Sequence, residues 1–156
     1  SELRLIDYLN QFLKEQPQIE FYIFLHPIEK KTEDLFEQAI EHYQKVFEGI
    51  EVNFFQKDTH TFAAFDKVDT SIAAYSSTNL ERLYAGFKTL YAPLGIREDY
   101  YSHSKINSIS AFTEEPLGDL ILNTLQQETN EFFESNQLSD YHHLRFDYLF
   151  QVDEMI

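Results

Sequence analysis

The 156-residue chain is 43% hydrophobic and 16% aromatic, enough apolar material for one packed domain. Its 12 Lys and Arg stand against 27 Asp and Glu, a formal net charge of -15 that disfavours nucleic acid or an anionic membrane as a partner, while leaving room for a local site for one small anion. Cysteine is absent, which excludes a disulfide framework and a thiolate zinc site and fits a reducing, cytoplasmic setting.

In chain order, "ELRLIDYLNQFLKE" places Leu3, Ile6, Leu9, Phe12 and Leu13 at helical spacing, and Pro17 follows as a stop. The run Ile19 with Phe21 to Leu25 is nearly continuous in apolar residues and ends at His26-Pro27, which predicts a strand buried on both faces, as in a parallel sheet. From Thr32, a good N-cap, a second amphipathic helix carries Leu35, Phe36, Ala39, Ile40, Tyr43, Val46 and Phe47 on one broad face and stops at Gly49. Residues 50 to 55 predict a short strand, 58 to 68 a short helix or turn, and 69 to 75 another strand. Ser76, Ser77 and Thr78 then open a helix that meets Gly86, and 88 to 93 form the next strand. Beyond Gly95 come a polar, tyrosine-rich connection, a weak strand over 107 to 112, a long helix over 117 to 135 and a last amphipathic helix in "DYHHLRFDYLFQVDEMI".

Strands alternating with helices predict an α/β domain with a doubly wound, mostly parallel sheet, taken as one domain over 1–156. No apolar run reaches the roughly 20 residues that a membrane-spanning helix needs. In such sheets ligands bind beyond the carboxyl ends of the strands, where His26-Pro27 and Ser76-Ser77 fall; on one sheet the two would converge on one crevice.

Each candidate has an ordinary reading beside a functional one. Ser76, Ser77 and Thr78 at a helix N-terminus can hold a phosphate on free N–H groups, or simply cap the helix, with Thr78 and Glu81 spaced as a capping box. His26 can donate to a phosphate, or close a turn. Lys30 can reach the same anion or stay solvated, and Asp58, Thr59 and His60 after the second strand can read a base or ribose. His42 reads as a surface residue. His103, His142 and His143 lack partners at ligand spacing, so no metal site is expected. Glycine-rich dinucleotide, P-loop and nucleophile-elbow signatures are missing.

His26-Pro27 after the first strand, followed by "DTSIAAYSSTNLERLYAGFKTLY", resembles the C-terminal, donor-binding domain of GT-B glycosyltransferases, and within that fold the HP and SS motifs of bacterial sialyltransferases and the related glycerophosphotransferases of teichoic acid synthesis. The resemblance covers roughly residues 19 to 95. It implies a Rossmann-like half of a GT-B fold in which His26, Pro27, Ser76 and Ser77 hold the donor phosphate, with His26 as the catalytic residue facing the leaving phosphate. It also leaves Glu81 either on the donor ribose or in the cap. The implied activity is transfer of a sugar from a nucleotide-sugar, with a CMP-linked donor among the candidates and no metal required, to a surface glycan that a separate N-terminal domain would bind, so that this chain alone would be inactive. The implied location is cytoplasmic or peripheral to the inner face of the membrane. The rival expectation is a non-catalytic, flavodoxin-like binding or assembly module, with the aromatic segment Tyr141 to Phe150 as a protein-binding surface.

Overall fold

The computed structural model describes residues 2–96 and 105–139. The expected last helix, the segment Tyr141 to Phe150, and His103, His142 and His143 lie outside these residues. The chain divides into two compact units, one of residues 1–5 and 65–156, the other of residues 6–64.

In the 6–64 unit, helix α1 (Glu2–Glu15, whose first residues belong to the other unit) presents Leu9, Phe12 and Leu13 as its buried stripe. Strand β1 (Phe21–Ile23) pairs in parallel with β2 (Val52–Phe54), Phe21 facing Val52 and Ile23 facing Phe54. Helix α2 (Glu33–Val46) connects them, with Thr32 Oγ1 accepting from Leu35 N–H at 3.2 Å as the cap. β1 is shorter than its apolar run and not buried on both faces: Tyr22 is exposed. Successive side chains of a strand point to opposite faces of the sheet, and Tyr22 lies on the opposite face from its neighbours Phe21 and Ile23.

The other unit repeats the strand–helix–strand plan at higher burial. The 6–64 unit ends in a single helical turn, α3 (Thr61–Ala64), after which a 3-10 turn over Phe65–Lys67 leads into β3 (Thr70–Ala73). Helix α4 (Ser77–Tyr84) connects β3 to β4 (Lys88–Tyr91), and the two strands run parallel with Thr70 opposite Lys88 and Ala73 opposite Tyr91. All four residues of β4 are buried. α4 ends in a Schellman turn: Phe87 N–H donates to Arg82 O at 3.2 Å and Gly86 N–H to Leu83 O at 3.0 Å. Gly86 has φ +91, the left-handed conformation that this turn requires and that a side chain resists.

Two sequence expectations change here. Residues 107 to 112 form a 3-10 turn (Asn107–Ile109) rather than a strand, and their tie to the sheet is one isolated parallel bridge, Tyr91 to Ser110. The expected helix over 117 to 135 is two helices, α5 (Leu117–Gln126) and α6 (Thr129–Ser135), because Gln127 and Glu128 take extended ψ values of 141° and 155°.

That break has a cause in β4. The Lys88 ammonium is almost fully buried and donates to Thr124 O and Gln127 O, both at 2.7 Å, at the carboxyl end of α5. Its third partner is the Asp69 carboxylate at 2.8 Å. A buried ammonium has three donors to satisfy, and all three are used. The negative end of the α5 dipole adds to the attraction. Arg82 of α4, 2% exposed, packs alongside and donates to the carbonyls of Phe65, Val68, Asp69 and Lys88. Two buried cations thus tie the turn before β3, α4, β4 and α5 together. Arg4 also reaches across Gly95 to Glu114; a Cβ on Gly95 (φ +87) would meet the Arg4 Nη1 at 2.5 Å.

The fold is therefore α/β with two short parallel sheets, β1–β2 and β3–β4, each built as one strand–helix–strand unit.

Candidate functional site

The carboxyl ends of β3 and β4 border a cavity of about 230 Å³ lined by Ala74, Tyr75, Ser76, Ser77, Leu80, Tyr91, Pro93, Ile106 and Ser110. The N-terminus of α4 opens beside it. Ser76 is the N-cap in extended conformation, and its Oγ accepts from Asn79 N–H at 3.3 Å. Leu80 N–H donates to Ser76 O at 3.2 Å. The first two helical N–H groups, of Ser77 and Thr78, are left for an outside acceptor, as helix geometry dictates.

This corrects the expected capping box. With the cap at Ser76, Thr78 is the second helical residue and Glu81 lies in the next turn, so the Thr78–Glu81 spacing is not used for capping. The residue in the third helical position is Asn79, and its side chain fastens the helix start to both strands: Oδ1 accepts from Ser71 Oγ at 3.0 Å and Nδ2 donates to Leu90 O at 3.3 Å. Asn79 is 8% exposed, so these bonds hold the end of α4 in a fixed position over β3 and β4. Tyr91 places its hydroxyl 3.5 Å from Ser76 O on the same edge.

His26 belongs to the β1–β2 sheet. It caps the 3-10 turn Pro27–Lys30: His26 Nδ1 accepts from Ile28 N–H at 3.2 Å, and Glu29 Oε1 accepts from His26 N–H at 3.0 Å, a reciprocal capping box. Pro27, the first residue of the turn, has no N–H to satisfy there. An Nδ1 that accepts a hydrogen bond carries no proton, so the neutral ring is protonated at Nε2. His60, after β2, does the same with Phe62 N–H, also at 3.2 Å. Sequence inspection did not single out this shared role, although a His two residues before a turn amide mimics the better known Asp and Asn turns.

Lys30 does not extend into solvent. Its Nζ lies 4.2 Å from the centroid of the Phe24 ring and donates to Thr59 O at 3.3 Å, joining the loop after β1 to the loop after β2. Burial pulls its pKa below the usual lysine value, with the exposed Asp58 pulling it back up.

The structure thus gathers Ser76, Ser77, Thr78 and Glu81 on α4, and His26, Pro27, Lys30 and Asp58 on the loops of β1 and β2. Among the described residues the first group follows the β3–β4 ladder and the second the β1–β2 ladder. Sequence reading did not single out Arg82 and Lys88, the two buried cations. Among the described residues no three His, Asp or Glu side chains are grouped to hold a metal, and no helix is long and apolar enough to cross a membrane. Comparison with known proteins returns no match, whether to a family model, a curated protein or a solved structure.

Proposed function

We propose that the chain is the donor-binding domain of a glycosyltransferase resembling bacterial sialyltransferases, built on a doubly wound plan, and that the donor phosphate docks on the N-terminus of α4. The observation that carries this reading is the cavity at the carboxyl ends of β3 and β4, with the Ser77 and Thr78 N–H groups at its side. Such a crevice is where parallel α/β sheets take their ligands, and a helix N-terminus favours an anion through its free donors and its dipole.

On this reading the two amides and the exposed Ser77 hydroxyl donate to the phosphate oxygens, and Glu81 contacts the ribose. An acceptor hydroxyl, held and deprotonated by a separate domain, attacks the anomeric carbon while the sugar–phosphate bond breaks and the phosphate leaves with the electron pair. Preorganised N–H donors stabilise the departing charge, so the step does not require a metal. In the 6–64 unit, His26 has only its Nε2–H to offer a ligand, because its Nδ1 is taken by the cap, and Lys30 and Asp58 lie in that same unit.

Calorimetric titration with CMP, CDP, UDP and GDP tests the reading on the wild-type chain, on Ser76→Ala/Ser77→Ala and on His26→Ala. Binding of one nucleotide that the serine variant loses supports it. A folded chain that binds none of them at millimolar concentration overturns it.

A second reading, a non-catalytic binding or assembly module, draws on one observation: both His26 and Ser76 already spend a side-chain acceptor on a local cap. Under it the serine variant loses about 1 kcal/mol of stability and nothing else.

A further inference from the structure

We infer that the cavity beside α4 takes the planar, uncharged base of the nucleotide and leaves the phosphate to the helix end outside it. This rests on the donor-site reading above and adds which part of the ligand enters.

The cavity is too small for a whole nucleotide-sugar: about 230 Å³, against roughly 300–1,000 Å³ for pockets that enclose drug-sized ligands. It holds one ring. Among the described residues none that lines it carries a charge, and their surface there is mostly carbon, with Ala74, Leu80, Pro93, Ile106 and the two tyrosines among them. A phosphate placed inside would lose its water without a cation in exchange, which is the costly arrangement. A sugar ring carries hydroxyls around its rim, and each would have to be matched on a carbon-rich wall. A heteroaromatic base has two apolar faces and a polar edge, and the lining offers that combination. The serine hydroxyls are few and partly committed: Ser76 Oγ accepts from Asn79 N–H, and Ser110 Oγ donates to Ile106 O at 2.7 Å. Ser110 can therefore accept from an exocyclic amine or a ring N–H, and Ser76 can donate to a ring carbonyl or nitrogen.

Tyr75 supplies the second observation. It lines the cavity yet remains 69% exposed, which leaves much of its surface open to a ligand beside the cavity. Stacking on an aromatic face is the sequence-tolerant way to hold a base, and it places the recognising element one residue before the cap that would hold the phosphate.

The test is titration of the full chain with CMP, UMP, cytidine, uridine, N-acetylneuraminic acid and inorganic phosphate, on wild type, Tyr75→Ala and Tyr75→Phe. Tyr75 is exposed enough that its truncation leaves the fold intact, and Tyr75→Phe keeps the ring. The expected result is that at least one free nucleoside binds, that Tyr75→Ala weakens nucleoside and nucleotide by about tenfold, and that Tyr75→Phe restores both. Nucleotide binding that is indifferent to Tyr75→Ala, with no binding of nucleosides, overturns the inference and leaves the donor-site reading standing. Binding of N-acetylneuraminic acid in place of the nucleosides, weakened by Tyr75→Ala, also overturns it, by putting the sugar in the cavity. No binding of any nucleotide to the folded chain overturns both.

Discussion

Lys88 illustrates how a single side chain organises its surroundings. Lys88→Met keeps the aliphatic length but leaves the carbonyls of Thr124 and Gln127 without their donor, and a buried group deprived of a strong partner costs several kcal/mol. We expect a loss of about 3 kcal/mol in urea unfolding, moderated because Asp69, the partner carboxylate, is half exposed and returns to water. Arg82 is held differently: burial pulls its guanidinium down to about 10, against the opposing pull of Asp69. A cation whose folded pKa is lowered carries a constant penalty below that pKa, relieved only as pH rises through it, so Arg82 adds no pH dependence to stability near neutrality. The opposite sign applies to Glu114. Hydrogen bonds from Arg4, aided by a backbone bond, hold its carboxyl below the usual range, so its contribution is present above the unfolded pKa and lost as pH falls through the folded one. Glu114→Gln is therefore expected to flatten the acid side of the stability profile below about pH 4.5, measured by thermal unfolding across pH. Neither buried cation was visible in the sequence: a lysine opening a strand and an arginine on a short helix have the pattern of solvated residues, and only the folded chain reveals that carbonyls from distant segments surround them.

At the scale of elements, α4 shows what sequence reading can and cannot resolve. Its existence, its start among three hydroxyl residues and its glycine end all follow from local chemistry. Which hydroxyl caps it does not, because Ser76, Ser77 and Thr78 are each competent, and the choice depends on where β3 releases the chain. Ser76→Ala should cost about 1 kcal/mol, and Ser77→Ala, at a position that makes no cap, only a few tenths. Chemical denaturation of the two single variants distinguishes them, and equal losses would put the cap elsewhere. Gly86→Ala, forced to φ +91, should also cost about 1 kcal/mol. The long helix expected over 117 to 135 failed for a non-local reason. Neither glycine nor proline marks Gln127 and Glu128, and the chain turns there while the carbonyls of Thr124, in the last turn of α5, and of Gln127, at the break, meet the ammonium of Lys88.

For the molecule as a whole, the α/β class was legible because both strand–helix–strand units announce themselves by alternation of period. Which strands pair was not legible, since hydrophobic runs do not name their neighbours; the described ladders are β1–β2 and β3–β4. The two units also differ in burial: every residue of β4 is buried, whereas none in β1 or β2 is. Amide hydrogen exchange should accordingly be slowest in residues 88–92 and faster by at least about tenfold in 21–23 and 52–54. The Lys88 tie has one more use. An amine that donates all three of its protons inside the protein is closed to acylating reagents, while surface lysines such as Lys31 and Lys67 are open to them. Modification at Lys88 therefore requires the unit to come apart, and the rate at which a pulse of amine-reactive label accumulates there, read by peptide mass, becomes an intrinsic clock for opening of the 65–139 region.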